Sequence, residues 1–426
     1  MDAKRLDWFL FCFAVVVLGA LFFSALNFLP NQFKALGNTT LVFTQWWQDE
    51  LEADTLEAMV REYEGLNPGI TILLAHKPHH TMMGELFSRE DGGPPPDIIG
   101  LDSSWLYELI RADLLEPLES YKNGAAELED AGAFPDDTPG EYENWAIPLI
   151  SFMAPLFYNS PLLEAAGFDR PPKTREEFLT YARALTDPPA GRYGMALALS
   201  PESPQGVYRD VFSWIWASGV EAGPETALDF TDPAVIDTLD FLNRLYREGL
   251  LSPSPFTKTE DEKRREFMQG RAAMMVGSIP EINRIMEENP EMRLGITTIP
   301  PADKYLGRPV FGLTSWYAGI SRESRHKDEA WAFLSFLCER RSFLASMAHA
   351  VPGNRDEAAG IAGENSLYAK AYDMYTAGEA ADQFAGVPGV KELETILREE
   401  LRALFEGRST PPETARTIQQ RRDAAN

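Results

Sequence analysis

Leu41-Val42-Phe43-Thr44, Ile70-Thr71-Ile72-Leu73-Leu74 and Asp97-Ile98-Ile99-Gly100-Leu101 are three short apolar runs, and what lies between them decides the fold. After the first, Leu56, Met59, Val60 and Tyr63 recur at i, i+3, i+4 and i+7, the stripe of an amphipathic helix ending near Asn67-Pro68-Gly69. A second helix is expected around Met82 to Phe87, stopped by Gly92-Gly93-Pro94-Pro95-Pro96. Strand, helix, strand, helix, strand is the order of a mostly parallel sheet covered on both faces. Such sheets bind ligands outside the carboxyl ends of their strands. Gln45-Trp46-Trp47 and Asp102-Ser103-Ser104-Trp105 fall there.

Farther along, the α/β pattern continues with more helix. Thr174-Arg175-Glu176-Glu177 reads as a capping box for a helix through Leu185. Thr231-Asp232-Pro233 opens a helix through Tyr246. A charged helix from about Thr259 to Gln269 leads to a strand, Ala272 to Val276, and further strands are expected at Leu294 to Thr297 and Tyr317 to Ile320. The run Lys258 to Arg265 mixes signs at helical spacing, the pattern of a solvated face. Cys338 sits in an apolar helical pattern as a small core residue. The polar end, Gln419 to Asn426, is expected to fray.

The other end of the chain carries an address. Lys4 and Arg5 precede an uncharged stretch from Trp8 to Leu29. At 1.5 Å per residue this stretch reaches roughly 33 Å, against about 30 Å for a hydrocarbon core. The basic flank places the N-terminus inside the cell and everything after Pro30 outside. An uncleaved single-pass anchor is expected, with cleavage at Ala35-Leu36-Gly37 and a secreted form as the alternative. The 426 residues leave room for two further domains. A net charge of −26, from 39 basic and 65 acidic side chains, excludes nucleic acid and an electrostatically held anionic lipid surface as partners.

The residues that follow a strand reading also resemble a known family. Ile147-Pro148-Leu149, Leu156-Phe157-Tyr158-Asn159, Ala165-Ala166-Gly167-Phe168 and Pro171-Pro172-Lys173-Thr174-Arg175-Glu176-Glu177-Phe178 form its most specific stretch. Pro95-Pro96-Asp97-Ile98-Ile99, Asp113 to Leu118, Gly270 to Met274, Ile299-Pro300-Pro301, Phe311-Gly312-Leu313 and His326 to Leu334 follow in order. From about Thr40 to Phe405 the chain is similar to family 1 of the bacterial extracellular solute-binding proteins, the maltose-binding-like receptors of ABC importers. The chain departs from it in its long anchor without a lipobox and in the apolar Ile150-Ser151-Phe152-Met153.

The resemblance implies a periplasmic-binding-protein-like α/β fold, with two lobes joined by hinge strands and no catalysis. Residues 38–150 with about 279–314 are expected to form the first lobe, and 151–278 with about 315–418 the second. Residues 1–37 supply the anchor, spanning about 8–29, and its spacer. Crossings are expected at Pro148 to Pro155, at Gly277-Ser278 and at Gly312 to Trp316, where Gly and Pro suit a hinge. Ligand contacts are expected from Trp46, Trp47, Trp105, Phe152, Trp214, Trp216 and Trp316, whose rings stack on the flat C–H faces of a sugar. Gln45, Asp102, Ser278, Thr314 and Ser315 would hold its hydroxyls.

The expected partners are a small carbohydrate, the membrane subunits of an ABC permease, and the membrane itself through the anchor; the protein is expected to be a monomer. A tethered sensor for a signalling partner and a receptor for a non-sugar solute such as a polyamine are the alternatives. No cofactor is expected. His76-Lys77-Pro78-His79-His80 is broken by proline and has no adjoining acidic or thiol ligand, so it is an exposed loop rather than a metal site. HExxH, GxSxG and GxxxxGK[ST] are absent.

Overall fold

Two sheets organise the chain, and their strands are drawn from alternating parts of the sequence. The computed structural model describes residues 39–49, 51, 54–88, 94–122, 144–203, 205–220, 228–352, 366–381 and 389–425. The expected membrane span and cleavage site lie outside them; among the described residues no helix is long and apolar enough to cross a membrane.

β1 (Thr39–Gln45) pairs in parallel with β2 (Ile70–His76) along its whole length and with β3 (Ile98–Asp102) on its other side. β9 (Val310–Ile320) then runs antiparallel to β3, and β4 (Ile147–Met153) antiparallel to β9. With β10 (Val351–Pro352) at the edge, the order is β10-β4-β9-β3-β1-β2. The central strands are apolar throughout because both faces are covered. Helices Thr55–Leu66 and Lys327–Glu339 cover one face, where Phe333 meets Phe43 at 5.8 Å and Tyr63 at 4.9 Å. Beneath helix His79–Ser88, on the other face, lies a cavity of about 380 Å³ lined by Thr44, Ala75, Ile99, Met82 and Leu86. Asp97 ties the sheet together: its carboxylate accepts from the Val42 amide at 2.9 Å and from the Ser324 hydroxyl at 2.5 Å.

The smaller sheet has the order β6-β7-β5-β8, from β5 (Leu156–Asn159), β6 (Tyr193–Met195), β7 (Ala272–Val276) and β8 (Leu294–Thr297). Helices Arg175–Leu185, Pro233–Arg247 and Val390–Phe405 share a core with it through Phe178, Leu239, Leu397 and Met274. The chain thus has two α/β lobes in a periplasmic-binding-protein-like arrangement. They join where β4 passes into β5 through Ala154 and Pro155. There the Gly277 amide donates to the Pro155 carbonyl at 3.2 Å, and the Ile279 amide to the Met153 carbonyl at 3.0 Å. β9 is continuous through Gly312 to Trp316, and its first residues also pair with β11 (Glu379–Ala381).

Several segments sit differently from the expectation. β8, in the stretch assigned to the first lobe, pairs with β5 in the smaller sheet. Ser315 to Ile320, assigned to the second, lie in the larger sheet, and Phe333, Leu337 and Leu344 share its core. A strand of four to six residues states that it is a strand but not which neighbour it pairs with. Gln419 to Ala425 lie in helix Pro411–Ala425, which is held by Arg421 on Glu399 at 2.7 Å and Glu400 at 2.8 Å; Asn426 lies outside the described residues. Thr174 caps its helix, but Glu177 binds Arg170 and the Lys173 amide instead of closing the box. The full capping box is Thr259 with Glu262.

The run Lys258 to Arg265 is solvated only in part: Asp261, Glu262 and Arg265 are exposed, whereas Lys258 and Lys263 turn inward. Lys263 is 1% exposed and its ammonium lies 2.9 Å from the carboxylate of Asp210, itself wholly buried, and 3.0 Å from Glu260. Burial pushes the Asp210 carboxyl up, against the pull of Lys263. A buried pair of this kind is costly to break from one side, because the partner stays charged without compensation. Lys263→Met should therefore destabilise the protein by about 3–5 kcal/mol at neutral pH. Adding Asp210→Asn should recover part of that loss, measured by urea denaturation; additive losses would contradict the coupling.

Candidate solute-binding site

The carboxyl ends of β1, β2 and β3 and the middle of β9 converge on one cluster of rings. Trp46 and Trp47 follow β1 directly, the second opening the short 3₁₀ turn Trp47–Asp49. Asp102 ends β3, and its side chain caps the 3₁₀ turn Ser103–Trp105, which delivers Trp105. Trp316 stands opposite Asp102 in the β3–β9 register. Phe152 comes from β4, where the register shifts between Pro148 and Ile150. A bulge of this kind re-aims side chains and accommodates the proline in the strand.

The rings pack closely. Trp47 and Trp316 are stacked, with centroids 5.0 Å apart and planes 4° from parallel. Trp46 meets Trp105 at 5.0 Å, and Phe152 meets Trp316 at 5.2 Å. Close approach to Trp47 needs a residue without Cβ on β3, since a Cβ on Gly100 would sit 3.0 Å from the indole. Trp47 is wholly buried and Trp316 nearly so; each gives one ring face to the other. Of the aromatic residues expected to meet ligand, Trp47 is thus a core residue on which Trp316 rests. Trp105 and Phe152, 7% and 8% exposed, form the more open rim.

The polar positions divide in the same way. Gln45 is buried, and its amide exchanges hydrogen bonds with Gln48 at 2.9 and 3.2 Å. Ser315 is buried against Ser151 at 2.8 Å, hydroxyl to hydroxyl. Thr314 is half-buried, and Ser278 is buried beside the Met153–Ile279 bond. Asp102 is the charged member. Burial pushes its carboxyl up, but the nearby His79 imidazole and the hydrogen bonds from Ser104 outweigh that and leave it below its ordinary value.

The structure separates Trp214 from this group. It is wholly buried in the core of the second lobe, 5.1 Å from Phe178 and 4.8 Å from Phe241. Trp214 and Trp216 lie in one helical turn, and only one of them faces the other lobe. Trp216 stacks on Phe212 and packs over Gly312 of β9, where a Cβ would come within 2.6 Å of its ring. Gly312, Thr314 and Trp316 alternate onto one face of that strand, so Trp216 borders the cluster.

Two residues were not anticipated. His79 begins helix His79–Ser88 and packs 4.9 Å from Trp46 and 4.8 Å from Trp105, where an exposed loop was expected. Its neighbour Pro78 reads as a breaker but lies just before the helix. Tyr208 opens a π-helical segment, Tyr208–Phe212, and its hydroxyl donates to the Val390 carbonyl at 3.2 Å. Burial, then the carboxylates of Glu394 and Asp102, hold its phenol well above the ordinary range, so Tyr208 of the second lobe senses a charge on the first. A π-turn leaves no mark in a hydrophobic pattern. Among the described residues no group of three or more His, Cys, Asp or Glu is placed to hold a metal ion.

The chain is similar to known binding proteins. A binding protein of Brucella abortus is 24% identical over 378 residues, covering 86% of this chain and 89% of its own. The maltotriose-binding protein of Pyrococcus abyssi is 21% identical over 301 residues, 70% of this chain and 62% of that one. The sugar-binding protein MalE of Xanthomonas citri superposes with a TM-score of 0.73 at 19% identity, over 91% of this chain and 97% of that one. Residues 49–339 match the family described as bacterial extracellular solute-binding protein, and the chain belongs to that family, whose members are extracytoplasmic binding proteins of ABC transporters rather than enzymes.

Proposed function

We propose that the protein binds a sugar or oligosaccharide between its lobes and delivers it to an ABC permease, held at the cell membrane by its N-terminal apolar stretch. The observation that carries this reading is the juxtaposition of Trp105 and Phe152, at the rim of a packed aromatic floor, with the carboxylate of Asp102. A pyranose has apolar faces and an equatorial ring of hydroxyls. Covering one face with an indole removes apolar surface worth about 25 cal/mol per Å². A buried carboxylate rejects an analogue lacking the hydroxyl it binds, because it would be left unpaired.

Tyr208 and Trp216 approach from the second lobe, so ligand touching both sides favours the closed arrangement by the difference in its affinity for the two states. A micromolar dissociation constant corresponds to about −8 kcal/mol, within reach of two ring contacts and several hydrogen bonds. A cationic solute such as a polyamine is the second reading, favoured by the same Asp102 carboxylate amid four aromatic rings.

The test is a thermal-shift series with maltotriose, cyclic maltooligosaccharides, ribitol and spermidine. Saturation at a hundred times Kd adds about 2.7 kcal/mol to stability, a shift of several degrees. Stabilisation by a saccharide is expected, and stabilisation by spermidine alone would overturn the carbohydrate reading.

Two substitutions separate rim from floor. Trp105→Ala should lose saccharide binding, with a smaller loss of stability than at the fully covered Trp47. Trp47→Ala empties a wholly buried site and should cost about 3–5 kcal/mol of stability. Equal destabilisation by both, read by urea denaturation, would contradict the division.

A further inference from the structure

The Asp102 carboxylate has its two oxygens in different states. Oδ1 accepts twice from Ser104, from the amide at 2.9 Å and from the hydroxyl at 2.7 Å. Among the described residues Oδ2 faces the His79 imidazole, whose Nε2 stands 3.6 Å away, long for a hydrogen bond. His79 is one-third exposed, whereas the rings it packs on are nearly covered. It is therefore the polar group of the cluster that meets solvent, beside the one oxygen of Asp102 that Ser104 leaves open.

We propose that His79 and the solute compete for Oδ2 of Asp102, which makes the imidazole a second, titratable determinant of binding. This rests on the reading of the cluster as the solute site. With a neutral imidazole, which at 3.6 Å makes no tight bond to Oδ2, a ligand hydroxyl can donate to that oxygen from beside the ring. Protonation turns the neighbour into a cation, which closes on Oδ2 in a charge-assisted bond that the hydroxyl must displace. Acid therefore weakens binding, and solute uptake at mildly acidic pH releases a proton.

Among the described residues, the other charged groups near the ring are held by partners of their own. Lys77, two residues before His79, is paired with Glu85 of the following helix at 2.9 Å. Across the cleft, Tyr208 is held protonated, and Glu394 is paired with Arg398. Asp102 stays ionised through the range, since its carboxyl lies below its ordinary value.

Because binding needs the neutral imidazole, affinity falls by up to about tenfold for each pH unit on the acid side of its titration, and histidine is the side chain that changes charge in the mildly acidic range. The experiment has two arms, both on the full chain. Calorimetric titration with maltotriose at pH 5.5 and 7.5 should show that loss in the wild type and a flat response in His79→Gln. Without ligand, tryptophan fluorescence should step as the pH is lowered, because the cationic imidazole quenches Trp46 and Trp105, and His79→Gln should lack the step. A pH-dependence retained in His79→Gln, or no fluorescence step in the wild type, would overturn the proposal while leaving the carbohydrate reading intact. Absence of heat with any saccharide at either pH would overturn that reading and the competition with it, even where the fluorescence step persists.

Discussion

β9 is the constraint on which the rest of the molecule depends. It is a single strand of 11 residues that pairs with β3 on one side and β4 on the other, and at its first residues with β11. It places Trp316 opposite Asp102 and Thr314 opposite Phe152 in register, so the pairing of three strands fixes the aromatic floor. A slip of one residue would turn Gly312, Thr314 and Trp316 to the other face. The same strand receives Trp216 of the second lobe at Gly312, in a contact that only glycine allows. Site geometry and lobe contact are thus consequences of one backbone ladder.

Against that frame stands a chain path that crosses at the Met153–Leu156 junction and runs beside Gly277 to Ile279. Two backbone hydrogen bonds hold these two segments together. An apolar cluster that includes Met153, Phe157, Met275, Phe311 and Leu313 also packs across the junction. The lobes themselves are stiff, each with its own apolar core, and the second is pinned internally by the buried Lys263–Asp210 pair.

Much of this was legible in the residues. The first sheet followed from three apolar runs with helical spacing between them, and the carboxyl-end rule put Trp46, Trp105 and Asp102 in one place before any coordinates did. What was not legible is tertiary. Trp47 and Trp316 stack on each other, and nothing in a sequence says whether an indole face will meet ligand or another indole. Trp214 sits two residues from Trp216 in one turn, so their opposite directions depend on how that turn packs. β8 announces itself as a strand while its partner is a matter of register. The histidine run reads as a loop because Pro78 interrupts it, whereas proline just before a helix is as natural as proline in a loop. The buried Lys263 was misjudged because mixed charges at helical spacing look the same whether the opposite charge comes from solvent or from Asp210.

The account's central claim is that a saccharide is held between Trp105, Phe152 and Asp102 on one lobe and the Tyr208 segment on the other. A crystal structure of the protein with the saccharide that stabilises it most tests this directly. The account predicts a pyranose ring stacked on Trp105 with a hydroxyl within hydrogen-bond distance of Oδ2 of Asp102. Sugar seated instead in the cavity beneath helix His79–Ser88, with the aromatic cluster untouched, would contradict it.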